Sequence, residues 1–577
     1  MRVGEALGII RQHSSSGEGR RLHLVCGFTP MHLATFVRAR ACQRLHAPVE
    51  LATGVYGDVA DNLRLAAESP SDGAFVVLEW PDLDPRLGIR SGAGWTTAVG
   101  DDVTAALRGR LDVLQDLVTR LAGEMRVVVA GPTLPLPPMA YCLPVEAHKW
   151  TLNWKAALGR FIADVASISN VRVLDEEELA RRSPASNRHD PKLELFTHFP
   201  FTTEHADVLA EAAIEALFPQ TPRKGLITDL DNTLWHGILG EVGVDGVSWT
   251  LADHAQAHGL YQQLLASLAE TGVLIGVASK NEPDIVGRAF GRTDLYLPES
   301  AVYPVEAGWG PKSESIGRIL KAWNIAADAV VFIDDSPMEL AEVAAAHAGI
   351  TCLQFRGEDP GAVLDLIRTC RRLFGRSELT EEDRIRVQSL RAAPTAARQA
   401  DASGNGAEFV AELDAEFTVT YSSSADDRRS FELLNKTNQF NLNGRRFTES
   451  EWRDHFRKPG AFRVAVGYQD RFGPLGRIAA LLGHRSGDAL SIDAWVLSCR
   501  AFSRQVEHHT LKSVFGRMNV PYVTLAYNRT DRNEPVRRFL AEIVNGSVGD
   551  GDQLVSVAEF DRRCPTLHGR VLEKSDE

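Results

Sequence analysis

A short apolar stretch that ends in two carboxylates constrains the fold of this chain more than any other feature. Residues 225–228 read Gly-Leu-Ile-Thr, and Asp229 and Asp231 follow with one residue between them. An apolar run of this kind, bounded by polar residues, predicts a short buried strand that delivers both acids to the edge of a sheet. Taken alone, two acids in this spacing also occur in loops and at helix N-caps, so further sequence must decide between the alternatives.

Two later apolar stretches also end in polar side chains, and a cation follows a turn between them. Each of these residues has an ordinary alternative role, as a helix-capping hydroxyl, a solvated charge or a carboxylate that closes a turn. Their occurrence together and in this order favours a shared site. The residues are Ser279 after 273–278, Lys312 after a Gly-Pro turn, and Asp334 and Asp335 after 329–333.

Phosphoryl transfer is the chemistry that these residue types share. Asp229 would attack a phosphorus atom, and Asp231 would act as acid and base for the leaving group. The hydroxyl of Ser279 and a helix N-terminus would hold phosphate oxygens. Lys312 would neutralise the nucleophile and the phosphate.

Carboxylates in this arrangement would also hold a divalent cation through oxygen atoms alone, and we expect that cation to be Mg²⁺. We assign Thr233 and Asn281 to substrate binding. The predicted metal ligands are Asp229, Asp231, Asp334 and Asp335.

The segment resembles a domain of the haloacid-dehalogenase (HAD) superfamily, whose aspartate nucleophile, serine, lysine and acidic pair occur in this order. The stretch 229–235, followed by Gly240 and Glu241, and the stretch 333–339 are similar to the FkbH-like branch. His236 stands where that branch usually has glycine. The resemblance implies that the chain takes a three-carbon unit from 1,3-bisphosphoglycerate, removes phosphate and delivers a glyceryl thioester to a phosphopantetheinylated acyl carrier protein in polyketide-type biosynthesis.

Composition bounds the remaining possibilities. A chain of 577 residues is too long for one core and predicts about three to four domains. A formal net charge of −13 argues against nucleic acid or an anionic membrane as the main partner. The seven cysteines are scattered and do not suggest a disulfide framework or a zinc site. Because no apolar stretch is long enough to span a bilayer and the first residues lack a signal-peptide core, we expect a cytoplasmic protein.

The alternation of apolar and helical stretches predicts a multidomain α/β chain. The resemblance implies a central HAD-like domain with a parallel sheet, flanked by an SGNH-like α/β domain and a GNAT-like α+β domain. Predicted strands include residues 22–25, 74–78 and 125–130 in the first domain and 417–421, 462–468, 477–482 and 493–497 in the last. The predicted boundaries are 1–215 for the SGNH-like domain, 223–374 for the HAD-like domain, 375–406 for a helical linker and 407–577 for the GNAT-like domain.

The first domain resembles the SGNH-hydrolase fold through residues 27–36 and 200–205. A working hydrolase of that kind needs a serine after its first strand and an aspartate three residues before its late histidine. Here Cys26 and Gly27 occupy the first turn, and Thr202 stands where the acid would be. We therefore predict that His205 is structural and that the domain shapes substrate or docks the carrier.

Two amide-rich stretches, 435–442 and 527–533, characterise the last domain. Their amides either close turns or bind a polar substrate or a pantetheine amide, and we assign Asn435, Asn438 and Asn528 to substrate binding. Between these stretches Cys499 and Arg500 follow the predicted strand 493–497. A cation and a nearby helix N-terminus would favour the thiolate, and the resemblance of residues 498–500 to the FkbH-like family implies that Cys499 carries the acyl group rather than being a half-buried structural cysteine. Cys26 is the competing candidate.

The sequence thus predicts a Mg²⁺-dependent glyceryl transferase and phosphatase. Three other interpretations remain open. The first is a free-standing small-molecule phosphatase whose flanking domains serve as cap and scaffold, and the second is a relative that transfers a different three-carbon acyl unit. The third is a non-catalytic platform that binds carrier proteins. The second acid, Asp231, argues against the platform, because a binding module has no need of a paired acid and base.

Overall fold

Three β-sheets organise the computed structural model of this chain. The described residues fall into two compact units, one comprising Met1–Gln220 with Thr448–Glu451 and the other Thr221–Phe447 with Trp452–Glu577. The predicted linker at 375–406 lies almost wholly outside the described residues. The structure describes residues 1–14, 19–69, 71–91, 99–137, 143, 145–376, 413–437, 440–471, 473–487, 489–498, 501, 504–530, 533–544 and 548–575.

The first unit is built on a parallel sheet. Its strands are β1 Arg20–Val25, β2 Val49–Thr53, β3 Gly73–Val77, β4 Val127–Ala130 and β5 Val171–Val173. They pair in parallel in the order β2-β1-β3-β4-β5. The chain first extends the sheet on one side of β1 and then crosses to the other, so the order reverses between β1 and β3. This point is the topological switch point of the sheet.

Helices connect these strands, as parallel pairing requires. The predicted strands of this domain are confirmed as β1, β3 and β4. The helices are α1 Val3–Gln12, α2 Met31–Leu45, α3 Val59–Ala67, α4 Trp80–Leu83, α5 Gly100–Glu124, α6 Lys149–Ala166, α7 Glu176–Arg182, α8 Pro191–Thr197 and α9 Thr203–Leu217, with 3₁₀ turns at Pro85–Leu87 and Ala185–Asn187.

A second parallel sheet follows in the order β10-β9-β6-β7-β8. Its strands are β6 Gly225–Thr228, β7 Leu274–Ser279, β8 Val302–Ala307, β9 Val330–Asp334 and β10 Thr351–Gln354. The helices are α10 Leu239–Val242, α11 Gln256–Glu270, α12 Pro283–Phe290, α13 Lys312–Trp323, α14 Pro337–Ala346 and α15 Pro360–Phe374, with 3₁₀ turns at Glu299–Ala301 and Ala327–Ala329.

The central strands of this sheet are apolar throughout because helices cover both faces. Successive side chains of β6 point to opposite sides, so Leu226 packs in one core and Ile227 in the other. In β9, Val331 joins the core of Leu226 and Phe332 joins that of Ile227. Continuous apolar runs of this kind are typical of buried parallel strands. This explains why the sequence predicted them.

A mixed sheet of eight strands forms the last part of the chain. Its order is β17-β16-β15-β14-β13-β11-β18, and β12 pairs with β15. The strands are β11 Glu416–Ser422, β12 Phe440–Asn441, β13 Ala461–Asp470, β14 Gly473–Ser486, β15 Ala489–Leu497, β16 Tyr522–Tyr527, β17 Gly551–Ser556 and β18 Arg570–Ser575. The helices are α16 Arg428–Lys436, α17 Glu449–Arg457, α18 Val506–Met518, α19 Glu534–Ile543 and α20 Val557–Arg563.

The predicted fold class, a multidomain α/β chain with a central parallel sheet, is confirmed. The four strands predicted in the last domain correspond to β11, β13, β14 and β15. Among the described residues, no helix combines the length and apolar character that crossing a membrane requires.

Candidate active site

Adjacent strands of the second sheet bring the predicted acids to one edge. β6 lies between β9 and β7, and Thr228 at its end is level with Val277 of β7 and Ile333 of β9. The N–H of Asp229 donates to the carbonyl of Ile333 at 2.9 Å. Asp229 and Asp334 therefore leave parallel strands side by side, at the edge where ligands of open parallel sheets commonly bind.

Lys312 lies between these two acids. It is the first residue of α13, directly after Pro311, whose fixed backbone suits a helix start. Its Nζ lies 2.8 Å from Oδ1 of Asp229 and 2.5 Å from Oδ2 of Asp334. The side chains of Lys312 and Asp229 are each 7% exposed. One ammonium group thus joins the ends of two strands in a site almost closed to solvent.

Burial and mutual charge control the protonation of the group. Burial raises the pKa of Asp229; Lys312 opposes the shift and Asp334 adds to it. Burial alone would lower the pKa of Lys312, but its contacts with Asp229 and Asp334 raise it overall. Burial and the neighbouring Asp334 also raise the pKa of Asp335. The site therefore holds more negative charge than one lysine can neutralise.

Three carboxylates converge closely enough to share a cation. Asp229, Asp334 and Asp335 each offer an oxygen, and these oxygens lie within 4.8 Å of one another. In the part of the chain that the structure describes, no other group of three acids, histidines or cysteines meets this criterion. An oxygen-only set suits a hard divalent cation such as Mg²⁺.

The carboxylate of Asp231 is not part of this group of three, and its role as a metal ligand stays a prediction. Its Oδ1 accepts N–H groups from the Trp235 indole at 3.0 Å and the Leu239 backbone at 3.1 Å. Its Oδ2 accepts from Nδ2 of Asn281 at 2.9 Å. Both oxygens therefore already have donors. The position remains compatible with the predicted acid and base.

A tight loop creates this arrangement. Asn232 adopts a left-handed backbone with φ of 53°, and its side chain accepts the N–H of Gly237 at 3.1 Å. Asparagine tolerates that conformation better than most residues. The turn brings Trp235 back against Asp231. Trp235 has no predicted role, although its position four residues after Asp231 could have indicated that the two side chains meet across the turn.

The remaining predicted residues of this edge lie beside the acids. Ser279 ends β7, and its Oγ accepts from Nδ2 of Asn281 at 3.1 Å. Thr233 is fully buried, and its hydroxyl accepts the backbone N–H of Asp335 at 3.1 Å. That bond makes Thr233 a support for the acidic loop, whereas the phosphate contacts of Ser279 and Asn281 stay predictions.

Two large side chains close to the site residues in sequence are exposed and have no predicted role. Trp309, three residues before Lys312, is 71% exposed, and its indole donates to Oε1 of Glu282 at 2.6 Å. Met338, three residues after Asp335, is 78% exposed. Residues 145–376 are described throughout. Within that range neither the β6–α11 nor the β7–β8 connection contains a separate cap domain.

One of the amides predicted to bind substrate in the last domain, that of Asn435, bonds to the backbone of its own loop. Asn435 donates from Nδ2 to the carbonyl of Phe447 at 3.0 Å and accepts its N–H at 2.8 Å. It therefore closes a loop, which was the alternative interpretation. The side chain of Asn528 is exposed. Asn438, Cys499 and Arg500 lie outside the described residues.

Neighbouring amides hold a short strand in a gap of the mixed sheet. β15 and β16 pair only from Leu490 to Ile492 on β15. Beyond that point β12 pairs with β15 instead, and Nδ2 of Asn443 donates to the carbonyls of Asp493 at 2.8 Å and Ala526 at 3.1 Å. The amide-rich stretch thus fills the space where the two strands part.

The two candidate catalytic residues of the first domain are buried and structural. Burial raises the pKa of the Cys26 thiol, which is 5% exposed and donates to the Phe28 carbonyl at 3.3 Å. Burial lowers the pKa of His205 to about 3. Its ring nitrogens contact the hydroxyls of Thr133 and Ser183, each at 2.9 Å. This geometry agrees with the predicted structural role of His205 and weakens the case for Cys26 as a nucleophile.

Comparison with known proteins bears on the fold. No protein-family model matches this sequence, and no curated protein matches it either. The structure is similar to that of the N-terminal part of the protein BF1531 from Bacteroides fragilis, which contains a phosphatase domain and was solved in complex with Mg. The two are 19% identical over 66% of this chain and 100% of that chain, with a TM-score of 0.52.

A second structure, an uncharacterized protein from Corynebacterium glutamicum, is 19% identical over 27% of this chain and 99% of that chain. Its TM-score of 0.20 is too low to carry an argument. The chain therefore shares its α/β fold with the N-terminal part of BF1531.

Proposed function

We propose that the carboxyl edge of the second sheet is the active site of a Mg²⁺-dependent phosphatase of the HAD type. One observation carries the proposal: the buried ammonium of Lys312 contacts both Asp229 at 2.8 Å and Asp334 at 2.5 Å. A structural ion pair needs only one acid for each lysine. Here one lysine contacts two members of a group of three carboxylates. The excess negative charge calls for a cation. The Mg-bound phosphatase domain within BF1531 supports the same assignment.

The proposed reaction has two steps. First, an oxygen of Asp229 bonds to phosphorus while the bond to the leaving oxygen breaks, and Asp231 gives that oxygen a proton. Second, water attacks the phosphorus of the aspartyl phosphate, Asp231 takes the proton of the water, and inorganic phosphate leaves. Ser279, Asn281 and Lys312 hold the phosphate oxygens during both steps.

Asp229, Asp334 and Asp335 would hold Mg²⁺, which neutralises phosphate oxygens when bound. The ligand set fits this ion because all three donors are carboxylate oxygens. Lys312 contributes a positive charge that favours the ionised, nucleophilic form of Asp229 and so opposes the effect of burial on its pKa.

Phosphate release from the full-length chain tests the proposal. With Mg²⁺ and 1,3-bisphosphoglycerate or an aryl phosphate, we expect turnover that falls by roughly three orders of magnitude or more in Asp229→Asn. The matched control is Asp245→Asn, a change at an exposed acid of the same domain, which should keep parental activity. Parental phosphate release by Asp229→Asn would disprove the assignment.

We further propose that the phosphorylated group is a three-carbon acyl unit destined for a carrier protein. In this scheme the Cys499 thiolate attacks the mixed anhydride of 1,3-bisphosphoglycerate and expels phosphate. Asp229 removes the remaining phosphate, and the thiol of a phosphopantetheinylated acyl carrier protein then takes the glyceryl group and frees Cys499. The support is the sequence resemblance, together with the lack of a separate cap domain in the β6–α11 and β7–β8 connections within residues 145–376.

Intact mass of the carrier distinguishes this scheme from a free-standing phosphatase. The full chain, Mg²⁺, 1,3-bisphosphoglycerate and several phosphopantetheinylated carriers are incubated together. A glyceryl mass on one carrier supports the transferase. Phosphate release with every carrier unmodified supports the small-molecule phosphatase, and no reaction at all leaves the binding platform.

A further inference from the structure

A polar cleft lies at the switch point of the first sheet, far in sequence from the acids of the second sheet. Phe28 follows β1, Glu79 and Asp82 follow β3, and Leu134 follows β4; all line the cleft, together with Arg90 and Glu194. Open parallel sheets bind ligands outside the carboxyl ends of their strands, at the point where the strand order reverses. The cleft occupies that point between β1 and β3.

Glycine at the end of β1 keeps the cleft open. A Cβ on Gly27 would lie 1.8 Å from Oδ1 of Asp82, so any other residue would displace this carboxylate. Oδ2 of Asp82 accepts the backbone N–H of Glu79 at 2.8 Å. Among the described residues, no group donates to Oδ1. Asp82 therefore presents one fixed acceptor without a donor.

Arg90 has the opposite feature, a buried hydrogen-bond donor without an acceptor among the described residues. Its guanidinium donates to the hydroxyl of Tyr56 and lies 5.6 Å from the centre of that ring, which fixes its position. Its Nε is buried and has no hydrogen-bond partner among the described residues, although it forms an ion pair with Oε1 of Glu194 at 3.5 Å. Buried donors of this kind usually have a partner, so the vacancy needs an explanation.

The carboxylate oxygens of Glu79 and one oxygen of Glu194, which also line the cleft, already have hydrogen-bond partners. Oε1 of Glu79 accepts the N–H of Thr133 at 3.0 Å and its hydroxyl at 2.8 Å, and Oε2 accepts the N–H of Leu134 at 3.2 Å. Oε2 of Glu194 contacts Nε2 of His189 at 2.7 Å. The groups left for a ligand are therefore the guanidinium of Arg90 and Oδ1 of Asp82.

We propose that this cleft binds a small organic acid that carries a hydrogen-bond donor, either a hydroxyl or an ammonium group, next to its carboxylate. The carboxylate pairs with Arg90, a guanidinium being well suited to such recognition. The neighbouring donor bonds to Oδ1 of Asp82. The cleft is small, which limits the ligand to a few heavy atoms.

Calorimetric titration of the full-length chain tests this site with defined probes. D-glycerate and L-lactate represent hydroxy acids, and L-serine represents amino acids. Propionate lacks the donor and glycerol lacks the carboxylate. We expect saturable binding of glycerate or serine that is about ten-fold or more tighter than that of propionate or glycerol, because each missing group leaves a charged partner unpaired. Which of the two probe classes binds identifies the donor.

Variants locate the binding. Arg90→Gln and Asp82→Asn should each weaken it about ten-fold or more, while Arg160→Gln and Asp116→Asn, at exposed positions of the same unit, leave it unchanged. Phosphate release at the second sheet should be the same in all four variants, so this test is independent of the proposed phosphatase. Thermal melting confirms that each variant is folded. Absence of saturable binding at millimolar concentrations, equal binding of propionate, or unaltered binding by both cleft variants would overturn the proposal.

Discussion

The indole of Trp235 donates to Oδ1 of Asp231 over 3.0 Å and ties the proposed acid and base to the buried core of its domain. Trp235 is fully buried, so it cannot move without disturbing the core around it. Oδ1 also accepts the backbone N–H of Leu239, whereas Oδ2 accepts one N–H, from Asn281, and is therefore the oxygen better placed to exchange a proton. Trp235 is therefore a positioning residue.

Replacing Trp235 with Phe should lower kcat for phosphate release by about ten-fold, with a smaller effect on KM, because a misplaced acid affects the transition state more than binding. The matched control is Trp249→Phe. Trp249 is 1% exposed and donates its indole to the carbonyl of Asp294 at 3.3 Å. Both variants lose similar volume and should show comparable drops in Tm. An equal loss of kcat in the control would assign the effect to general destabilisation.

Metal binding should be measurable without turnover. We expect Mg²⁺ to raise the Tm of chelator-treated protein, because an ion that binds only the folded state stabilises it. Asp334→Asn should abolish most of this shift, since the variant removes one of three carboxylate ligands. Asp365→Asn changes a side chain that is 75% exposed and should keep the full shift. A Mg²⁺-dependent shift of parental size in Asp334→Asn would place the metal elsewhere.

His205 should make the first domain acid-sensitive. Its pKa is lowered by burial from 6.5 to about 3, so below pH 6.5 the unfolded state binds a proton that the folded state refuses. Stability from this residue is therefore fully present above pH 6.5 and decreases by about 1.4 kcal/mol per pH unit as the pH falls towards 3. Urea melts at several pH values should show this slope and its reduction in His205→Gln. The exposed His46 offers a control, and an identical pH dependence of parent and His205→Gln would contradict the burial argument.

Carrier loading should depend on Cys499 and not on Cys26. Cys499→Ala should abolish both the enzyme-bound acyl adduct and the loading of the carrier. Cys26→Ala should retain loading, because the raised pKa of its buried thiol leaves little thiolate to react. The cost of the Cys26 change is about 1 kcal/mol of stability. Intact mass spectrometry reads both outcomes, and loss of loading in Cys26→Ala alone would move the acyl chemistry to the first domain.

Much of the candidate active site was predictable from the sequence because a few residues at strand ends determine its position. Strands buried on both faces, such as β7 and β9, appear in sequence as continuous apolar runs, and parallel strands present their carboxyl ends together. The order of Asp229, Ser279, Lys312 and Asp334 along the chain therefore sufficed to predict that they meet. The apolar runs alone identified these strands, without an alternating pattern of apolar and polar residues.

The side-chain contacts that depend on loop geometry were not predictable. The turn at Asn232 directs Asp231 towards Trp235 rather than towards the three clustered carboxylates. Asparagine suits such a turn, but the sequence does not specify which side chains the turn brings together. Asn435 meets the backbone of Phe447 twelve positions later in the chain, a contact that only the folded loop creates. β12 has two residues, too few for any periodic signal.

Chemical trapping of the phosphorylated enzyme tests the central claim most directly. The full chain is mixed with Mg²⁺ and a phosphorylated substrate, quenched during turnover and treated with borohydride, which converts an aspartyl phosphate to homoserine. Peptide mass spectrometry then reads the residue at position 229. The account predicts homoserine there, dependent on Mg²⁺ and absent at Asp231, Asp334 and Asp335. Homoserine at another aspartate, or sustained phosphate release with Asp229 never modified, would contradict it.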